Sequence, residues 1–368
     1  MSKILFIVAH RPNRSPSQRY RFEQYFPFLQ KNGFDCSVSY VINKKDDRWF
    51  YESGKYLQKF LILIKSIFIR IKDWSTYNKY DIIFVQREAL MIGSTFFEKR
   101  IKASKAKFIF DFDDSIWLMD TSDGNKKFEW LKNPEKTARN IRYADMVFAG
   151  NTYLANYALH YNKNVKIVPT TINTSTHRPE LSERNKAVLT IGWSGSITTI
   201  KHFQYALDFL KIIKQKYPNK VQFKVMGDET YVNDQLNIIG SKWTLESEVD
   251  VLNSFDIGIM PLPNDEWAKG KCGLKGLSYM ALEIPTIMSP VGVNTEIIQH
   301  GANGFLAKTT DEWVDYISQL IESPDLRLKI GKAARQTVID KYSVESQKQM
   351  YLDCFNELLG RPKTKAKE

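Results

Sequence analysis

From end to end the chain repeats one pattern, a short apolar run followed by a longer stretch with helical periodicity. In the first half the runs are Lys3–Ala9, Cys36–Val41, Ile82–Val85, Phe108–Phe110, Met146–Ala149 and Val165–Val168. The pattern restarts near Lys186 with Ala187–Gly192 and continues at Val221–Met226, Asp256–Met260, Ile284–Met288 and Phe305–Ala307. Apolar runs bounded by helices predict parallel strands in sheets wound on both faces, an α/β fold. Between the two series lies a polar connector around Thr174–Asn185, which holds Pro179 and lacks apolar periodicity. It predicts two doubly wound domains, over residues 1–175 and 186–343. A last helix, about Val344 to Leu359 within 344–360, follows the second sheet's natural end. The first helix is expected from Ser17 to about Lys31, stopped by Asn32-Gly33. A chain of 368 residues is long enough for a real core in each domain.

The formal net charge of +12 predicts anionic partners, among which nucleic acid, acidic lipid and sugar nucleotides all qualify. A nucleic-acid binder is the non-enzyme reading, but no recognisable RNA- or DNA-binding motif is present. Neither sheet opens on the Gly-x-Gly-x-x-Gly turn that a Rossmann oxidoreductase requires. Cys36, Cys272 and Cys354 stand at no metal-ligand or disulfide spacing, which fits a reducing compartment. The N-terminus enters a strand directly and no apolar run reaches 18 residues, so the expectation is a cytoplasmic protein. Gly54–Asp73 interleaves Lys55, Lys59, Lys65, Arg70 and Lys72 with large apolar residues, and a second basic cluster runs from Lys99 to Lys107. Such a helix suits an anionic bilayer surface at the inner face of the membrane, or is a core helix with a solvated basic edge.

The richest chemistry lies in Lys269–Pro285, after an apolar run that ends at Pro261. Lys271 and Lys275 are four apart and would share one face near the start of a helix. With loose glycines and the positive end of a helix dipole they suit a diphosphate, the alternative being a solvated lysine pair. The block continues as Ser289-Pro290-Val291-Gly292-Val293-Asn294-Thr295-Glu296 and His300-Gly301-Ala302-Asn303-Gly304-Phe305. Upstream stand Gly192-Trp193-Ser194-Gly195-Ser196 with Lys201, Val225-Met226-Gly227-Asp228, and Val168-Pro169-Thr170-Thr171-Ile172-Asn173.

In order and spacing these pieces resemble the donor-binding half of the retaining glycosyltransferases of family 4. The resemblance covers about the last 200 residues, and the first half is a looser match. It implies a GT-B fold, with two Rossmann-like domains facing across a cleft and the last helix crossing back to the first domain. It also implies transfer of a sugar from a nucleotide-sugar co-substrate to a saccharide acceptor, with no metal and no other cofactor. The donor site would comprise Gly195, Ser196, Lys201, Lys271, Lys275, Ser278 and Glu296. One departure is that Gly270 and Ser278 stand where the family often carries Glu-x7-Glu, whose second glutamate holds the ribose. The glycine-lysine-rich loop is similar to that of members acting on bacterial surface polysaccharides such as lipopolysaccharide or capsule. That points to a lipid-linked acceptor.

In the first half, Asp111-Phe112-Asp113-Asp114 closes a strand, where three carboxylates are poor core filler. Asp113 falls where the resembled family usually has a histidine facing the sugar, so Asp113 and Asp114 are the catalytic candidates. The alternative is that they cap the next helix. Two rival readings use the same aspartates. In one, Asp111 and Asp113 hold Mg²⁺ or Mn²⁺ in a metal-dependent glycosyltransferase. In the other, Phe110–Ser115 is the nucleophile motif of a haloacid-dehalogenase-like phosphatase. Arg19, Arg21 and Arg87 are expected at an acceptor phosphate because a guanidinium grips one bidentately.

Overall fold

The computed structural model of the chain describes residues 1–52, 54–118, 129–180 and 187–363. Residues 181–185 of the expected linker and 364–367 of the basic tail lie outside the described residues. Two compact units are present, one of Met1–Pro169 with Gln347–Glu368 and one of Thr170–Ser346.

The first unit is built on six parallel strands, β1 (Ser2–His10), β2 (Phe34–Ile42), β3 (Ile82–Gln86), β4 (Lys107–Phe112), β5 (Met146–Ala149) and β6 (Val165–Ile167), in the order β2-β1-β3-β4-β5-β6. Ile4, Phe6, Ile7, Val8, Ile82–Val85 and Phe108–Phe110 are buried, as befits parallel strands covered on both faces. The second unit holds β7 (Leu189–Ser194), β8 (Val221–Met226), β11 (Ile257–Met260), β12 (Thr286–Met288) and β13 (Phe305–Leu306), in the order β13-β12-β11-β7-β8. A small antiparallel ribbon, β9 (Val232–Asn233) with β10 (Ile238–Ile239), follows β8. The two parallel sheets are the α/β fold that the strand pattern predicts.

Thr170–Glu180, expected to belong in part to the first domain, packs within the second unit. Ile172 donates to the Tyr342 carbonyl at 2.8 Å, and the Arg335 guanidinium donates to the His177 carbonyl at 2.9 Å. The terminal helix, Val344–Leu358, joins the first unit from Gln347 onward. There Tyr351 stacks on Tyr25 at 4.1 Å and donates its hydroxyl to the Arg21 carbonyl.

The expected Ser17–Lys31 helix is divided. A helix over Pro16–Arg21 ends at Phe22, whose φ of −143° leaves the helical region, and a 3-10 turn leads into a second helix, Phe26–Lys31. Pro27 has no N–H to extend the first segment, and it is well placed in the first turn of the second. The stop at Asn32-Gly33 stands, with Gly33 in the left-handed region at φ +86°.

Two arginines that read from sequence as surface charges are core residues. Arg21 is 1% exposed and grips Asp111, itself fully buried at the end of β4, with both arms of the fork, while its remaining arm donates to the Val168 carbonyl. It is therefore not available to an acceptor phosphate. Arg70, on the helix Tyr56–Trp74, is also buried and donates to the carbonyls of Ala89 (2.5 Å) and Val8 (2.7 Å) and to Asp73 (2.8 Å). Nor does Arg70 face a membrane.

Removing one partner of a desolvated pair strands the other charge. Arg21→Ala is expected to destabilise the first unit by about 3–5 kcal/mol, read by urea denaturation. The paired replacement Arg21→Met with Asp111→Leu should recover much of the loss.

Candidate active site

Open parallel sheets leave their ligand-accessible polar groups at the carboxyl ends of the strands. In the second unit β7 ends at Ser194 in a tight turn. Gly195 donates to the Met226 carbonyl at 2.9 Å and Ser196 donates to Thr199 Oγ1 at 2.9 Å. Gly227, at φ +119°, approaches so closely that a Cβ there would stand 2.2 Å from the Gly195 oxygen. The backbone N–H groups of Gly195 and Ser196 are thus occupied inside the turn. Beyond it the 3-10 helix Ile200–Ala206 carries Lys201 and His202.

After β11, the helix Glu266–Lys269 is capped by Asp265, which accepts from the Ala268 N–H at 2.7 Å. The chain then turns through Gly270–Gly273 into the helix Leu274–Ala281. Gly273 is left-handed at φ +71°, and a Cβ on it would meet Ile297 Cδ1 at 2.4 Å. Lys271 therefore lies before the helix and Lys275 within its first turn, so the two do not share a helical face as the spacing predicts. The glycines fold the loop back instead. Lys271 Nζ lies 5.2 Å from the Trp267 ring centre, and Lys275 Nζ lies 5.4 Å from that of Trp193.

Lys275 nonetheless stands beside the segment that carries Lys201 and His202, because Trp193, which it approaches, packs on Phe203 at 5.6 Å. Burial first, and then the charges of Lys275, Lys271 and Lys201, push the His202 imidazole down to about 4, with Asp265 opposing them. His202 is only 4% exposed, and its Nδ1 has no hydrogen-bond partner among the described residues. The charges of Lys201, Lys271 and Lys275 thus all disfavour a proton on this buried imidazole. The other expected donor residues are placed differently. Ser278 is buried and donates its hydroxyl to the Leu274 carbonyl at 2.9 Å, a bond within its own helix. Glu296 is exposed on the short helix Asn294–Ile297 and is felt at Tyr342, whose hydroxyl burial and then Glu296 push up.

The first unit gathers a second charged group at the ends of β1, β3 and β4. Arg87, directly after β3, sits in the left-handed region at φ +63°, an uncommon conformation for a side chain of this size. Its N–H donates to the Asp111 carbonyl at 2.7 Å. Its guanidinium donates to Asp113 (2.7 Å), Asp114 (2.6 Å) and Ser17 (2.9 Å). Burial opposes the Arg87 charge, but Asp113 and Asp114 outweigh it and raise the pKa above the ordinary arginine value. Both catalytic candidates are therefore arginine-bound carboxylates. The Arg19 guanidinium lies 4.9 Å from the Tyr20 ring centre.

His10, Arg11 and Arg14, which carry no recognisable motif in the sequence, complete the group. Arg11 and Arg14 both donate to Asp47, at 2.7 and 2.5 Å, and His10 Nε2 meets the Tyr51 hydroxyl at 3.0 Å. Burial pushes the His10 imidazole down to about 4; Asp47 opposes this, and Arg14, Arg11 and Arg87 add to it. Basic residues directly after an opening strand were the signal available for this cluster.

Asp111 cannot play the parts that the rival readings gave it. Burial raises its pKa, Arg21 is the main opposing influence, and the carboxylate has no exposure to a metal or a phosphoryl group. This removes Asp111 as a metal ligand and as a phosphatase nucleophile.

Two parallel-sheet α/β units with charged strand ends define the GT-B fold class, and the structural likenesses agree. The sucrose-phosphate synthase of Thermosynechococcus elongatus is similar with a TM-score of 0.71 at 12% identity, over 98% of this chain and 100% of that one. The Anabaena protein HepE, solved in complex with UDP and glucose, is similar with a TM-score of 0.65 at 13% identity, over 97% of this chain and 100% of that one. Identities this low establish the fold alone. Residues 188–323 match the family described as Glycosyl transferases group 1. The N-acetyl-alpha-D-glucosaminyl L-malate synthase of Bacillus anthracis is 31% identical over 93 residues. That segment is 25% of this chain and 24% of the relative, so the likeness spans about a quarter of the curated protein.

A histidine held near 4 in the folded chain and near 6.5 when unfolded takes up its proton on unfolding between those values. Stability is therefore expected to be full above about pH 6.5 and to fall as the pH drops toward 4. His202→Gln should flatten that fall in the second unit. Thermal melts across pH 4–7 check this, and an unchanged slope would contradict it.

Proposed function

We infer that the chain is a glycosyltransferase that takes its sugar from a nucleoside diphosphate donor. The observation that carries this reading is the glycine loop after β11 that presents Lys271 and Lys275, the latter beside Trp193 and the segment of Lys201, within the region that matches Glycosyl transferases group 1. Breaking the anomeric C–O bond leaves negative charge on the departing diphosphate, and positive charge grows at the anomeric carbon. Ammonium groups already in place stabilise that leaving group with no metal ion. The turn's own N–H groups are used up at Gly195 and Ser196, so the lysines carry most of this task. The helix Leu274–Ala281 adds its N-terminus, which begins at Gly273 without a side-chain cap.

The uridine base is favoured by HepE, solved with UDP and glucose. Retention of configuration rests on the resemblance to family 4. In the first unit, Asp113 and Asp114 are the proposed groups that steady the oxocarbenium-like centre, with Arg87 holding both carboxylates in place. Arg11 and Arg14, held by Asp47 at this end of the sheet, have the fork geometry to bind a phosphate of a lipid-linked saccharide in exchange for that carboxylate. A bacterial surface polysaccharide assembled at the inner face of the membrane is the process this describes.

The test is release of UDP from a panel of UDP-sugars, with a short polyprenyl-diphosphate saccharide as acceptor and a chelator in excess. Lys271→Ala and Lys275→Ala are each expected to lower kcat by about 10²-fold while leaving the melting temperature unchanged. Wild-type kcat in both variants would remove the lysines from the leaving-group site. Loss of activity in chelator that Mg²⁺ or Mn²⁺ restores would overturn the metal-free reading.

A further inference from the structure

The helix Tyr56–Trp74 is built inside out. Its buried positions include Lys59, Ser66 and Arg70 beside Ile62. Its outward stripe is Leu57, Phe60, Leu61, Ile64, Phe68 and Ile71, at the three- and four-residue spacing of one helical face and between 37% and 68% exposed. Burying charge beneath such a face is the reverse of what a surface helix in water does. Of the basic residues that suggested an electrostatic surface, Arg70 and Lys59 are buried and Lys65 is paired with Asp46. The exposed resource of this helix is apolar area.

We propose that this stripe is a docking surface for a lipid bilayer, lying flat in the headgroup region with its apolar side chains inserted. Among the described residues no helix is long and apolar enough to cross a membrane, so an in-plane position is the geometry open to this one. Three features fit this occupant. Trp74 and Phe96, in edge contact at 5.6 Å, close one end of the stripe with aromatic rings suited to the interface. Arg100 caps both rings, 4.8 and 4.9 Å from their centres, and with exposed Lys72 and Lys99 forms a cationic rim at headgroup level. A second copy of the chain would cover the apolar stripe but give no role to the cationic rim at its end. The apolar insertion is the main contribution and the rim adds preference for anionic lipid. The docking surface goes beyond the transfer reaction and does not depend on it.

The experiment is cosedimentation with vesicles of phosphatidylcholine alone and of phosphatidylcholine mixed with phosphatidylglycerol. The wild-type chain is expected to bind the mixed vesicles, and binding should weaken without vanishing when salt rises from about 0.1 M to about 0.5 M. Phe60→Ser with Leu61→Ser and Phe68→Ser should reduce binding at least about tenfold at both salt levels. Lys72→Glu with Arg100→Glu should reduce only the preference for the anionic vesicles. The serine variant should keep its melting temperature and its turnover on a soluble acceptor, which separates failure of docking from failure of the transfer reading. Wild-type protein that ignores both vesicles overturns the proposal, as does a serine variant that still binds. A wild-type dimer that the serine variant turns into monomer, with no vesicle binding, assigns the face to a second copy instead.

Discussion

The ion pair of Arg21 and Asp111 is cut off from water, and several parts of the first unit hang on it. Arg21 ties the opening helix to the end of β4 and to the Val168 carbonyl at the unit's boundary, and its own carbonyl accepts from Tyr351 of the terminal helix. Asp111 in turn accepts, through its backbone carbonyl, the N–H of Arg87. A parallel strand covered on both faces tolerates a carboxylate at its end only with a counter-charge of this kind. Once Asp111 is neutralised, Asp113 and Asp114 are the carboxylates left to bind Arg87 where solvent and ligand can reach.

The second unit shows the opposite situation. Lys201, Lys271 and Lys275 all bear on one neutral imidazole, and the first two are joined by no shared helix; a glycine loop brings Lys271 in. Clustered ammonium groups repel one another, and an anion placed among them relieves that repulsion while meeting a charge-assisted donor from each. Departure of a sugar increases the charge on that anion, so the arrangement favours the later state over the earlier one.

Much of the fold is legible in the sequence because buried parallel strands must be short and apolar, and Lys3–Ala9, Ile82–Val85, Val221–Met226 and Asp256–Met260 have no other comfortable reading. The interruption of the Ser17–Lys31 helix was visible in principle at Pro27. The site is less legible. The spacing of Lys271 and Lys275 implies a shared helical face, but glycines at 270 and 273 make a loop where a helix was expected. Arg21 and Arg70 are indistinguishable in sequence from surface arginines, because the carbonyls and carboxylates that receive them are far away along the chain. His10 and His202 give no motif at all; only burial beside other charges sets them apart. The inverted helix Tyr56–Trp74 shows the same limit, since its composition is plain while the side facing inward is decided by distant partners such as the carbonyls of Ala89 and Val8.

The central claim is that the lysines around His202 hold a diphosphate. Calorimetric titration with UDP and, separately, with uridine tests it most directly, at pH 6 in two buffers of different ionisation enthalpy. The account predicts that UDP binds and uridine does not bind measurably, that affinity falls as salt is raised, and that protons are taken up on binding because the diphosphate raises the affinity of His202 for its proton. Equal binding of UDP and uridine, indifferent to salt and with no proton uptake, would contradict it.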